Sequence, residues 1–132
     1  MKYKFLIILL LITACSPYQS EYKDEVVISF KQLTDIPEGI DESGEITLKS
    51  IEFHCELAVE GIADYLADDL TVSDFIEFHY ATFRMLADNK PIQDIETFMT
   101  ALYKYCNLEE EFNSGWTTVE ELEKIYIADW KQ

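Results

Sequence analysis

Three cysteines, two histidines and an excess of carboxylates are the side chains with which this chain could do chemistry. Cys-His nucleophilic catalysis needs a free thiol held beside an imidazole. His54 directly precedes Cys55, and neighbours on a helix point about 100° apart, so the one adjacent pair is mis-aimed. A zinc site needs three or four converging ligands, which two histidines far apart in the chain do not supply. His79 sits among Phe75, Ile76, Phe78, Tyr80 and Phe83 and reads as a core or interface histidine. Carboxylates are too abundant for any pair to stand out as an acid/base couple. Asp41-Glu42-Ser43-Gly44-Glu45 lacks the alternating ligands of a calcium loop. No nucleophile elbow, phosphate-cradling glycine loop or metalloprotease histidine pair occurs. The inventory predicts a protein that is not an enzyme and uses no cofactor and no metal.

The start of the chain is more specific. Lys2 and Lys4 precede an apolar run from Phe5 to Ile12, too short for a membrane span of roughly 20 residues and suited to a secretory signal. Ile12-Thr13-Ala14-Cys15 then gives way to Ser16-Pro17-Tyr18-Gln19. Small residues before a cysteine at the cut resemble the bacterial lipobox, which implies cleavage after residue 14 and lipid attached to the Cys15 sulfur. Two or more acyl chains anchor stably. Ser16 in place of Asp implies sorting to the outer membrane, with the protein facing the periplasm. Cys55 and Cys106 then remain, and an even pair of thiols in an oxidising compartment predicts one disulfide.

Removing residues 1–14 from the 132 leaves 118, with 8 Lys and Arg against 26 Asp and Glu, a net charge of −18. Such a surface repels nucleic acid and anionic headgroups and favours basic partners. The 48% hydrophobic content is too high for a disordered acidic chain. Residues 15–45 read as a lipidated tether and lead-in, and 46–132 as one helical domain. Within the lead-in, Val26-Val27-Ile28-Ser29-Phe30 is expected to be a short extended piece, although Val26, Phe30 and Leu33 would also share a helix face.

From about Thr47 the periodicity is helical. Ile51, Cys55, Ala58, Ile62 and Leu66 define a buried face, and Glu52, Glu56, Glu60, Asp64 and Asp68 a solvated acidic stripe at steps of four. Thr71-Val72-Ser73-Asp74 predicts a capping box, with Leu70 and Phe75 as a hydrophobic staple. The helix that follows, to about Asp88, is apolar on most sides and is expected to be central. Pro91 opens a third helix with Ile92, Ile95, Met99, Leu102 and Cys106 on one face. Glu109-Glu110-Glu111 reads as a solvated loop and Asn113-Ser114-Gly115 as another. Overlapping capping boxes at Thr117-Thr118-Val119-Glu120-Glu121 start a fourth helix that buries Val119, Leu122, Ile125 or Tyr126, and Trp130. The expected fold is an all-α, four-helix domain stapled by Cys55–Cys106.

Cys55-Glu56-Leu57-Ala58-Val59-Glu60-Gly61-Ile62-Ala63-Asp64 resembles the Tai-type immunity proteins, in which a glycine stands six residues after a cysteine and an aspartate three further. Leu70 to Ile76, Asp88-Asn89-Lys90-Pro91 and Ala101-Leu102 to Cys106 resemble their capped second helix, its proline-marked end and their closing cysteine segment. Ala58 departs from the pattern where an aromatic is expected, and the family's extra cysteines are missing. The resemblance implies a small periplasmic helical domain that blocks peptidoglycan-cleaving toxins delivered by type VI secretion. The cysteine separation and helical pattern are also similar to HdeA-type acid-stress chaperones, and a structural envelope lipoprotein is a third reading. The expected contact set is Glu56, Glu60, Asp64, Asp68 and Asp69, with Glu109, Glu110 and Glu111 as a second patch. The partner would be a basic envelope enzyme or toxin, with the membrane touched through the lipid anchor alone and no nucleic acid bound.

Overall fold

Half of the residues from Ile92 to Tyr105 are buried: Ile95, Phe98, Met99, Ala101, Leu102, Tyr103 and Tyr105. A helix with apolar side chains on so many sides must be wrapped by others. The computed structural model describes residues 17–118 and 120–125, and it is organised around this segment. A 3-10 turn over Ser20–Tyr22 leads into α1 (Lys23–Thr34), α2 (Glu45–Ala67), α3 (Val72–Leu86), α4 (Ile92–Tyr105) and α5 (Glu109–Gly115). Residues 120–125 are again helical, and the described residues contain no strand. The most extensive interhelical contact is between α1 and α4; α2 packs on α1 and α3, and α5 on α3 and α4. The central helix is thus α4. The expectation that α3 is central is corrected, because its Phe78, Met85 and Leu86 are exposed.

The all-α class holds, but α1 and α5 add to the four helices expected. The extended reading of residues 26–30 is overturned by α1. Val26, Phe30 and Leu33, spaced as one helix face, are buried, and packing against α4 overrides the strand preference of the β-branched residues. Ser29, also buried, is satisfied locally by donating its hydroxyl to the Val26 carbonyl at 3.1 Å. The Glu109–Glu111 and Asn113–Gly115 loops are corrected to α5. The three glutamates occupy its first turn, where the helix dipole favours negative charge. Phe112 anchors it, 4.8 Å from the Tyr103 ring.

The capping box predicted at the start of α3 is present. Thr71 Oγ1 accepts from the Asp74 amide at 3.1 Å and the Asp74 carboxylate accepts from the Thr71 amide at 2.8 Å. Pro91 is the residue before α4 rather than its first. On α2, Ile51, Cys55, Ala58 and Ile62 are buried, whereas Leu66 is exposed. Successive steps of four drift about 40° each on a 3.6-residue helix, which carries Leu66 off the buried face near the helix end. Leu122 is buried and Ile125 partly exposed; Val119, Tyr126 and Trp130 lie outside the described residues, as does Cys15.

Cys55 and Cys106 form a disulfide with Cα atoms 5.3 Å apart, 51 residues apart in sequence. Gly61 owes its place to packing: an added Cβ would stand 2.2 Å from Phe75 Cε2. That ring is buried between Tyr65 and His79.

Two consequences are measurable by urea unfolding. Replacing both Cys55 and Cys106 by alanine should cost about 4 kcal/mol, the loop-closure entropy of a 51-residue loop; a loss near zero would show that the cross-link does not restrain the denatured chain. Gly61→Ala should destabilise by about 1–3 kcal/mol through overpacking, although alanine is intrinsically the better helix former by about 1 kcal/mol. Phe75→Leu in that background should recover part of the loss, and a stabilised Gly61→Ala variant would refute the close approach.

Candidate functional site

Helix α2 carries Glu56, Glu60 and Asp64 of the acidic residues singled out from the sequence, and Asp68 and Asp69 follow its last residue, Ala67. Its N-terminus is held by Asp41, whose carboxylate accepts from the Thr47 amide at 2.7 Å, the Thr47 hydroxyl at 2.6 Å and the Ile46 amide at 3.2 Å. The Thr47 hydrogen bonds above all hold the Asp41 carboxyl below its ordinary pKa. Sequence reasoning treated Asp41 as turn material. The signal was there: a short acidic side chain a few residues before a helical pattern.

The acids at steps of four do not form one face. Each step turns about 40°, so the ribbon from Glu52 to Asp68 winds about 160° around the helix. Glu52 begins it on the inner edge, half-buried, accepting from the Tyr105 hydroxyl at 3.0 Å. Burial, and then this bond to Glu52, push the Tyr105 phenol above its usual range. Glu56, Glu60, Asp64, Asp68 and Asp69 are exposed. Among the described residues none of these five side chains takes part in an ion pair, and the two pairs present are Arg84–Glu123 and Lys90–Asp35. Glu109 and Glu110 are exposed and Glu111 partly so. They belong to α5, which does not pack against α2, so the two acidic groups are separate patches.

Around the outer half of the ribbon lies a feature that the sequence reading did not separate from the core. Phe53 and Leu57 on α2 and Phe78, Met85 and Leu86 on α3 are exposed. Phe53 and Leu57 are one turn apart, opposite Ile51 and Cys55, and that spacing was the available signal. The other three were absorbed into a helix read as apolar all round.

The N-terminal segment is fixed beside the disulfide. Tyr18 stacks on Tyr105 with ring centroids 5.1 Å apart, and the Gln19 amide donates to the Tyr105 carbonyl at 2.8 Å. A groove of about 220 Å³ there is bordered by Pro17, Tyr18, Val59, Glu56 and Glu60 beside the two half-cystines. A wider cleft, about 830 Å³, opens between α1 and the loop after it. Both lysines on its edge are engaged, Lys90 with Asp35 and Lys31 with the Asp41 carbonyl at 2.7 Å.

The histidines are not brought to an open site. Cys55, the thiol next to His54, is in the disulfide. His79 is buried, with Nδ1 2.7 Å from the Tyr103 hydroxyl, and its ring packs 4.6 Å from Phe83. Burial, with a smaller contribution from His54, lowers its pKa to about 3; burial also lowers that of His54. Among the described residues no group of three or more His, Cys, Asp or Glu side chains converges as a metal site.

Comparison with protein-family models, with curated proteins and with solved structures finds no match to this chain.

The neutral burial of His79 makes stability depend on pH. Its folded pKa lies below the ordinary 6.5, so its contribution is complete above pH 6.5 and is lost as pH falls toward about 3. Over that range the loss approaches roughly 5 kcal/mol. His79→Gln should flatten the pH dependence of unfolding free energy across that window; an unchanged slope would place the acid sensitivity on other groups.

Proposed function

We propose that the chain is a lipid-anchored envelope protein that binds and occludes a basic envelope-acting toxin, with a peptidoglycan hydrolase as the favoured target. The observation that carries this reading is the run of exposed carboxylates from Glu56 on α2 to Asp69 just past its end, none of them ion-paired among the described residues. Unpaired charge on a rigid helix steers an oppositely charged partner and raises its association rate. The lipobox at Cys15 and the Tai-type pattern over Cys55–Asp64 supply the compartment and the target class. Anchorage at Cys15 also bears on geometry. Pro17 lies two residues on, a reach of at most about 7 Å, and it borders the groove with Glu56 and Glu60. Asp64 lies farther along α2, with Asp68 and Asp69 just past its end, and these are the acids best clear of the bilayer. Glu109–Glu111 serve as a second, independent contact.

Buried, neutral His79 favours one second reading, an acid-opened chaperone of the HdeA type, because its protonation would loosen the aromatic core.

The test is capture from envelope extract at neutral pH by residues 16–132 with the disulfide formed. One stoichiometric partner is expected, captured more slowly as salt rises and lost when Glu60, Asp64 and Asp68 are reversed to lysine. Its cleavage of purified peptidoglycan should stop when the domain is added. A captured partner with undiminished hydrolytic activity, or capture indifferent to charge reversal, would rule out occlusion by α2. Broad capture of unfolded proteins at acid pH alone would favour the chaperone.

A further inference from the structure

The exposed apolar side chains of α2 and α3 form two adjoining rows. Phe53 and Leu57 lie one turn apart on α2, and Phe78 and Met85 share the outer side of α3; each is 43% to 57% exposed. The rows meet along the seam of one antiparallel helix pair. Tyr65 lies 6.3 Å from Phe78 at one end, and His54, which touches Phe53, lies 5.2 Å from Phe83 at the other. Leu57 stands between these levels on α2. Asp64 and Asp68, both exposed, continue the α2 row toward its Tyr65 end, since they follow Leu57 on the same side of the helix; exposed Glu60 flanks it, and the three make an acidic rim at that end. The two cations nearest in sequence do not neutralise this rim: Lys49 lies beyond the Phe53 end, and Arg84 is engaged by Glu123.

We propose that this seam is the docking groove for a basic amphipathic helix of the partner, whose apolar stripe covers Phe53, Leu57, Phe78 and Met85 and whose cations meet Glu60, Asp64 and Asp68. The inference rests on the protein-binding reading above and names the segment recognised. From residue 53 to 68 the seam runs about 22 Å, the length of a helix of roughly 15 residues. An apolar strip is the surface that helix-in-groove recognition uses, and the acids at one end of this one select a helix that carries cations there. The same charges argue against other occupants. An anionic bilayer surface is repelled by the carboxylates. A second copy, paired through this same self-complementary face, brings more carboxylates to the interface and not the cations that Glu60, Asp64 and Asp68 would meet.

The probe is a synthetic peptide of about 18 residues, Leu and Lys at helical spacing, titrated calorimetrically into residues 16–132 with the disulfide intact. Every core residue among those described lies between Val26 and Leu122, so this part keeps the core. The helical peptide should bind about tenfold or more tightly than its scrambled isomer and gain helicity by circular dichroism. Leu57→Ser with Phe78→Ser should weaken binding at all salt concentrations, whereas Asp64→Asn with Asp68→Asn should weaken it chiefly at low salt. Equal affinity for both peptides, or indifference to the Leu57 and Phe78 changes, would overturn the proposal. So would phosphatidylglycerol vesicles binding, or the chain self-associating, through the same apolar residues. The extract capture separates this failure from that of the wider reading: a partner that still binds the Leu57→Ser, Phe78→Ser chain but not the charge-reversed one overturns the groove and leaves occlusion by α2 standing.

Discussion

The cross-link between Cys55 and Cys106 closes the arrangement of helices around α4. Each of the other long helices meets its neighbours through broad packing, whereas α2 and α4 make the smallest of the interhelical contacts. The disulfide therefore fixes a relation that side-chain packing alone specifies weakly. It also joins the end of α4 to the middle of α2. Tyr105, next to Cys106, donates to Glu52 on α2 and receives the stacked Tyr18 ring. One covalent bond thus orders the N-terminal segment, the central helix and the acid-bearing helix together.

Inside that frame the polar groups are all accounted for. Among the described residues no buried side-chain nitrogen or oxygen lacks a hydrogen-bond partner. His79 and Tyr103 satisfy each other within an aromatic cluster. The Tyr80 hydroxyl donates to Glu123 at 2.6 Å, and Arg84 pairs with the same carboxylate. That shared acid ties the helical stretch 120–125 back to α3. A buried pair such as His79 and Tyr103 contributes specificity while the imidazole is neutral, and the same desolvation makes its protonated form costly. Stability near neutral pH and the acid sensitivity expected of His79 would then share one cause.

The sequence made legible the features that depend on local chemistry. The Thr71–Asp74 capping box, the inward faces of Ile51, Cys55, Ala58 and Ile62, and the pairing of the two cysteines could all be read from residue type and spacing. Gly61 could be read as needing a packing reason, and the Phe75 ring is that reason. What resisted reading depends on tertiary partners. Val26 to Phe30 has the composition of a strand and becomes helical because α4 offers a surface for Val26, Phe30 and Leu33. Glu109 to Glu111 looks like a solvated loop and becomes a helix start because Phe112 finds the Tyr103 ring. The apolar seam was hidden for a different reason. Phe78, Met85 and Leu86 are the same residue types as the core, and sequence cannot tell a buried phenylalanine from one held out at a surface.

The acids of α2 follow from neither folding nor solubility alone. Like charges four residues apart oppose helix formation by about 0.2–0.5 kcal/mol per pair, and Glu52–Glu56, Glu56–Glu60 and Glu60–Asp64 are three such pairs in succession. No lysine or arginine among the described residues pairs with them to relieve that repulsion. The helix tolerates it because Asp41 fixes its first turn, the disulfide its middle and the Phe75 contact at Gly61 its later turns. A cationic surface laid along the ribbon would convert the repulsion into attraction, so binding would gain part of what folding loses. The same surface would cover Phe53, Leu57 and Phe78, whose exposure to water is unfavourable in the free protein. On the binding reading proposed above, charge and apolar area would select one kind of partner: a basic face with apolar side chains among its cations.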